Sequence, residues 1–284
     1  MSTKLTPDKN TENISDDESL NVNAIAGDCP VAPSGQGLDA SAGVADHIGI
    51  RRFSMYKHTI VVQCDEAKHF IPNAVTRMFA KVVRIEPGDI VLDLGSGVGP
   101  LAIWAALEPS SLVHAVEVLP EHCDLIRINS AANGTENKVF VHCSNLFNSL
   151  PEIMVDVIIA DVSGIAEEAG RYMGWYPPAV PTGGSDGTQI IIPLLKTAHR
   201  FLRPGGRLYF PIGIGMADGD AILAAAKSSF GKVDVLAEVD FPLSEEQYKE
   251  LLRRLPAKIS ANLRKRGARY VWHGIFLGAS EPIA

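Results

Sequence analysis

Val91-Leu92-Asp93-Leu94-Gly95-Ser96-Gly97-Val98-Gly99-Pro100 is an apolar run, too short for a helix, that feeds into glycines at alternate positions. Leu101, Ala102, Ile103, Trp104, Ala105, Ala106 and Leu107 then follow as a packed helix, so the stretch predicts strand, tight turn, helix. Glycine at 95 and 97 permits positive φ and leaves no Cβ, which lets a ligand lie on the backbone around Ser96, and Pro100 suits a first helical turn. A loop of this build holds a nucleotide-like ligand.

The glycine spacing selects among such ligands. A dinucleotide fingerprint places its third glycine three residues after the second, at the position of Pro100, whereas this chain has it two residues after, at Gly99. With Asp93 ahead of the first glycine and Glu117 ending the next strand, Leu112 to Val118, the arrangement resembles the class I S-adenosylmethionine-dependent methyltransferases. The resemblance implies that Asp93 helps organise the methionine end of S-adenosylmethionine and that the backbone of Gly95, Ser96, Gly97 and Gly99 lies against the cofactor. It also implies that Glu117 takes both ribose hydroxyls, a task that suits a carboxylate because it accepts two hydrogen bonds from a diol.

From Glu86-Pro87-Gly88-Asp89 onward strands and helices alternate, the pattern of a Rossmann-like, doubly wound, mostly parallel sheet covered on both faces. Pro120 opens a helix through Leu125 and Ile128, Val139 to His142 is a third strand, and Val155 to Ala160 a fourth. Open parallel sheets bind ligands beyond the C-terminal ends of their strands, where Asp93, Glu117, Asn145 and Asp161 fall together. The resemblance makes Asn145 the candidate for reading the adenine amino group, with Ser144 second, and implies an antiparallel last strand within Arg269 to Leu277.

Gly183-Gly184-Ser185-Asp186-Gly187 before a helix, and Arg203-Pro204-Gly205-Gly206 after it, look like the release-factor glutamine methyltransferases and related small-domain enzymes over residues 70 to 212. The likeness breaks after the fourth strand. Those enzymes carry Asn-Pro-Pro-Tyr there, and this chain has Asp161-Val162-Ser163-Gly164. An ionised carboxylate has no donor, so it does not reproduce the two-way grip of an amide. It can orient or deprotonate an amine or hydroxyl, which makes Asp161 the catalytic candidate as well as a neighbour of the cofactor.

Residues 1–45 are polar and without period and are expected to be disordered, ahead of one methyltransferase domain over 46–284 with insertions at 165–186 and 244–267. The first insertion carries Tyr172, Trp175 and Tyr176, candidates for covering the substrate, since aromatic faces attract a cation by about 0.5 to 2 kcal/mol. In the second, Ser244 with Gln247 gives a capping-box signal, and Tyr248, Leu251, Leu252 and Leu255 an apolar stripe that Pro256 interrupts.

The 46% hydrophobic content of 284 residues supplies a substantial core. No apolar run approaches the ~20 residues that span a bilayer, and the N-terminus lacks a secretory segment, so a cytoplasmic address is expected. Cys29, Cys64, Cys123 and Cys143 show no zinc spacing and are read as free thiols. His114, Cys123, His142 and Cys143 invite a metal only weakly, since class I methyl transfer does not ordinarily require one, and none is assigned.

A formal charge of −7 disfavours a dominant nucleic-acid surface, although Lys249 to Arg269 is rich in basic residues. The acceptor put first is a small molecule, an amino acid or specialised metabolite whose carboxylate an arginine holds in a bidentate pair. A protein substrate, as in the glutamine and ribosomal-protein methyltransferases, is the alternative. RNA stands third with a non-catalytic cofactor-binding protein, and a dinucleotide oxidoreductase is disfavoured by the glycine spacing.

Overall fold

The computed structural model describes residues 48–110 and 112–283; the tail expected to be disordered, and Cys29, lie outside them. An antiparallel hairpin of β1 (Gly49–Met55) and β2 (His58–Cys64) precedes α1 (Ala74–Val82). The helix is shorter than the Pro72–Arg84 that periodicity suggests because Asn73 caps it, its side chain accepting from the N–H groups of Val75 and Thr76.

The alternating part follows as β3 (Ile90–Leu94), α2 (Pro100–Leu107), β4 (Leu112–Glu117), α3 (Pro120–Ala132), β5 (Val139–Cys143) and β6 (Val155–Ile159). Then come α4 (Glu167–Tyr172), α5 (Ile191–Thr197), β7 (Leu202–Ile214), α6 (Gly219–Ser229), β8 (Phe230–Leu243), α7 (Glu245–Arg254), α8 (Ala257–Ser260), β9 (Arg264–Arg266) and β10 (Arg269–Pro282). The main sheet runs β5-β4-β3-β6-β7-β10-β8, with β9 paired to β10. Its first five strands are parallel, and β10 is antiparallel to both β7 and β8.

Strand β3 sits at the middle of the five parallel strands and is buried along Val91, Leu92, Asp93 and Leu94, which explains its apolar run. One core layer gathers Val91, Ala102, Trp104 and Ile126 with the hairpin residues Met55, Ile60 and Val62. The other gathers Leu92, Ile158, Leu194, Leu208 and Ile222. The chain thus buries apolar side chains on both faces of one sheet.

Further boundaries differ from the sequence expectation. The helix before the Pro-Gly-Gly turn divides into α5 and a 3-10 turn, Ala198–Phe201. Val155 pairs with Leu202 and Val157 with Arg207, so Arg203 to Gly206 bulge out of β7 rather than precede it. Strands β8 and β10 extend well past their apolar segments, because β8 is an edge strand whose polar residues, Glu238 and Asp240 among them, still pair with β10.

The expected capping box closes α7: Gln247 N–H donates to Ser244 Oγ at 3.0 Å and Ser244 N–H to Gln247 Oε1 at 2.8 Å. Much of the basic stretch is paired within the molecule. Lys249 pairs with Glu245, Arg253 and Arg254 with Glu250, Lys258 with Asp218 and Arg266 with Asp240. Among the described residues no helix is long and apolar enough to cross a membrane, and no group of three or more His, Cys, Asp or Glu side chains is placed to hold a metal ion.

Candidate active site

At the C-terminal edge of β3 the chain bends through Gly95, Ser96 and Gly97, with the N–H groups of Gly95 and Ser96 both donating to Val116 O at 2.9 Å. Ser96 turns its hydroxyl to the backbone, donating to Asp93 O at 2.9 Å and accepting from Val116 N–H at 3.1 Å. It therefore staples the bend to β4. Gly97 has φ +55, and a Cβ built on it would meet nothing within 4 Å, so its bare face opens toward the cavity.

Gly99 takes a different part. At φ +95 it caps α2, and a Cβ there would lie 3.3 Å from Ile126 Cγ2. It lets α3 pack close behind the bend and does not line the cavity.

Glu117 ends β4 with its carboxylate in three hydrogen bonds. Oε2 accepts from Gly97 N–H at 2.9 Å, and Oε1 from Val118 N–H at 2.8 Å and Leu119 N–H at 3.0 Å. Burial raises its pKa, while the N–H groups of Leu119, Gly97 and Val118 hold it down. Asn145 lies on the same cavity wall, beside Ser144, whose hydroxyl already accepts from Ser149 N–H at 2.9 Å.

Two further carboxylates lie across the bend. Asp93 is 1% exposed, and among the described residues its Oδ2 is a buried oxygen without a hydrogen-bond partner. Burial lifts its pKa to about 7, and the charge of Asp161 adds to the rise. Asp161 follows β6, accepts from Thr76 Oγ1 at 2.8 Å and is raised by burial to about 6. Both border a small recess of about 30 Å³ that Phe70, Thr76 and Leu101 also line.

Beside this recess a cavity of about 700 Å³ runs from Glu117 and Asn145, past Gly97 and Asp161, to a wall of aromatic rings. Trp175 and Tyr176 belong to that wall. Tyr172 does not: it ends α4, and its ring lies under the Arg254 guanidinium at 4.8 Å, joining α4 to α7. The expectation that it covers the ligand is thereby corrected. Its place in the fold turns it to a neighbouring helix.

Sequence reasoning missed Phe241, Trp272 and Phe276, which complete the wall, and Thr76, which holds Asp161. Trp272 and Phe241 are register partners on β10 and β8, their rings stacked 4.2 Å apart. An apolar closing strand reads as core. The resemblance already implies an antiparallel last strand; the missing signal is its register, which brings the N-terminal half of β10 to the edge where the parallel strands end.

The geometry fits an adenosyl sulfonium. The face of Gly97, clear of side chains, and the buried Glu117 carboxylate at the end of β4 share one wall, the unpartnered oxygen of Asp93 borders the small recess beside it, and the opposite end has Asp161 and rings. Among the described residues that line the large cavity there is no lysine or arginine, so the expected arginine clamp on a substrate carboxylate has no counterpart among them.

Comparison with known proteins agrees with this layout. Residues 71–161 match the family "Methyltransferase small domain". The release factor glutamine methyltransferase of Cereibacter sphaeroides is 30% identical over 176 residues, which cover 60% of this chain and 62% of that protein. The ribosomal protein L11 methyltransferase of Geobacillus thermodenitrificans is 31% identical over 136 residues, 48% of this chain and 36% of that protein. The chain therefore matches less than two thirds of the length of either relative. A solved structure, the T. thermophilus 16S rRNA N2 G1207 methyltransferase in complex with AdoMet and guanosine, shares the fold at a TM-score of 0.54 and 15% identity, over 84% of this chain and 52% of that one.

Proposed function

We propose, from the premise that residues 71–161 form a methyltransferase small domain within a class I methyltransferase fold, that this chain methylates a protein from S-adenosylmethionine. The observation that carries the reading is the Gly97 N–H bonded to Glu117 at 2.9 Å, on a cavity that Asp161 also lines. Relatives named for release factors and for the ribosomal proteins L11 and uL3 support a protein acceptor over the small molecule put first from the sequence. They also support work in the cytoplasm.

When bound, the cofactor supplies a methyl group on a positively charged sulfur, so the protein's task is alignment and exclusion of water. Glu117 would hold the ribose, the backbone of Gly95, Ser96 and Gly97 would lie along the cofactor, and Asn145 would meet the adenine edge. Gly99 contributes indirectly, by holding α3 close. Asp93 faces the methionine end, and Asp161 holds the acceptor's reacting group at near-attack distance, about 3 to 3.5 Å.

Residues 46–284 act as one domain, and the additions at 165–186 and 244–267 select the acceptor. Trp175 and Tyr176 wall the acceptor side, while Tyr172 fixes the first addition to the second. The test has two readouts. Calorimetry with S-adenosylhomocysteine is expected to give saturable one-to-one binding, and methyl-labelled cofactor with a cell lysate is expected to put label into the protein fraction. Label that passes a small-cutoff filter would return the acceptor to the metabolites, and ribonuclease-sensitive label would assign it to RNA.

A further inference from the structure

The lining of the cavity specifies a charge as well as a shape. Among the described residues its ionisable groups, apart from the Tyr176 phenol, are Glu117, Asp161 and His122, and its far wall is built from Trp175, Tyr176, Phe241, Trp272 and Phe276. Burial holds His122 toward its neutral form, so the fixed charges facing the space are carboxylates. An anionic acceptor meets repulsion here, and a neutral amide meets no donor on an ionised Asp161.

The aromatic wall is preorganised. Phe241 lies flat on Trp272, with centroids 4.2 Å apart and planes 16° from parallel, and Trp175 meets Trp272 at 6.0 Å. Gly274 makes this arrangement possible: a Cβ there would stand 2.6 Å from Phe241 Cε2. Burial raises the Tyr176 phenol, and Asp161 is close enough for its charge to add to the rise. Aromatic faces on one side and a carboxylate on the other are the two features that attract an organic cation.

We propose that the acceptor enters as an ammonium, a lysine side chain or an α-amine of the protein substrate, seated on the Trp272–Phe241 pair and held by Asp161. The inference rests on the methyl-transfer reading and names its acceptor. The ammonium gives one proton to the Asp161 carboxylate. The freed nitrogen lone pair forms the N–C bond to the methyl carbon while the S–C bond breaks, its electron pair staying on sulfur. A methylated ammonium and a neutral thioether result, and Asp161 returns its proton to water. A carboxylate raised to about 6 is a better base than an ordinary aspartate.

The experiment uses the full chain with methyl-labelled S-adenosylmethionine and a lysate, followed by acid hydrolysis of the protein fraction. Label recovered in N-methyl-lysine or an α-N-methyl amino acid is expected. Volatile methylamine, the product of a methylated amide, overturns the inference while leaving protein methylation intact; absence of label from protein overturns both. Asp161→Asn, checked for S-adenosylhomocysteine binding, is expected to lose at least about a hundredfold in amine methylation and to lose the rise of rate through pH 6. Turnover by Asp161→Asn that equals or exceeds the parent's rules the proton transfer out. Trp272→Leu supplies a second check: a KM for the labelled protein raised about tenfold with S-adenosylhomocysteine affinity unchanged is expected, and an unchanged KM overturns the aromatic seat.

Discussion

The backbone N–H of Gly97 donates to Oε2 of Glu117 at 2.9 Å, which joins the glycine bend to the end of the neighbouring parallel strand. Because Glu117 also accepts from Val118 and Leu119 N–H groups, its carboxylate is fixed before any ligand arrives. Charge-assisted bonds of this kind contribute about 1.5 to 3 kcal/mol each when buried.

Glu117→Gln keeps the shape and removes the charge. Affinity for S-adenosylhomocysteine is expected to fall by about ten- to a hundredfold in calorimetry, the equivalent of about 1.4 to 2.8 kcal/mol, with the melting temperature also lowered. An affinity within twofold of the parent would remove Glu117 from the ribose site.

Asn129 is fully buried and ties the N-terminal hairpin to the glycine bend. Its Nδ2 donates to Val98 O at 2.8 Å and Gln63 O at 3.2 Å, and its Oδ1 accepts from Gln63 N–H at 2.7 Å. Asn129→Leu strands these backbone groups at a cost of about 1 to 3 kcal/mol each. Differential scanning calorimetry should show a melting temperature lower by at least about 5 °C, and cofactor affinity should weaken because Val98 lies within the bend.

Asp93 links pH to stability. Its folded pKa, about 7, stands above the ordinary value of 3.8, so between those values the folded state binds more protons than the unfolded chain. Its contribution is therefore full below about pH 4 and is lost as pH rises toward 7. Asp93→Asn should flatten the decline of melting temperature between pH 4 and 7 relative to the parent. Equal slopes for the two proteins would show that Asp93 titrates normally.

Gly274→Ala places a methyl where Phe241 lies, 2.6 Å from Cε2. Overpacking of this kind costs about 1 to 3 kcal/mol, and the displaced ring enters the acceptor side of the cavity. We expect a lower melting temperature and a raised KM for the protein acceptor, with S-adenosylhomocysteine affinity within threefold of the parent. Loss of cofactor affinity in a folded variant would count against the division of the cavity into two ends.

Tyr172→Ala tests the correction made by the fold. The ring supports Arg254, which also reaches Glu168 at 3.4 Å, so the variant should loosen α4 from α7 and be cleaved faster there by a protease. Its kcat should remain within about threefold of the parent, since the ring packs on Arg254 and lies outside the cavity lining. A hundredfold loss of kcat would return Tyr172 to the acceptor side.

The glycine bend, the carboxylate that ends β4 and the alternation from β3 to β6 are legible because each is local. A strand, turn and helix within about twenty residues leave their periods and their glycines in the chain itself. The same locality makes Asp161 visible, as the residue delivered by the end of a fourth strand. Tyr172, Trp175 and Tyr176 read as one cluster because they are neighbours in sequence, yet a short helix sends the first to α7 and the others to the cavity.

The sequence by itself determined the parallel core, the edge at which a ligand meets it and the acids that stand there, since those follow from hydrophobic period and from what a Cβ forbids. Tertiary structure decided the aromatic wall. Trp272, Gly274 and Phe241 come from strands whose contribution depends on the register of β10 against β7 and β8, and register is fixed by long-range pairing, which leaves no period in the residues being paired.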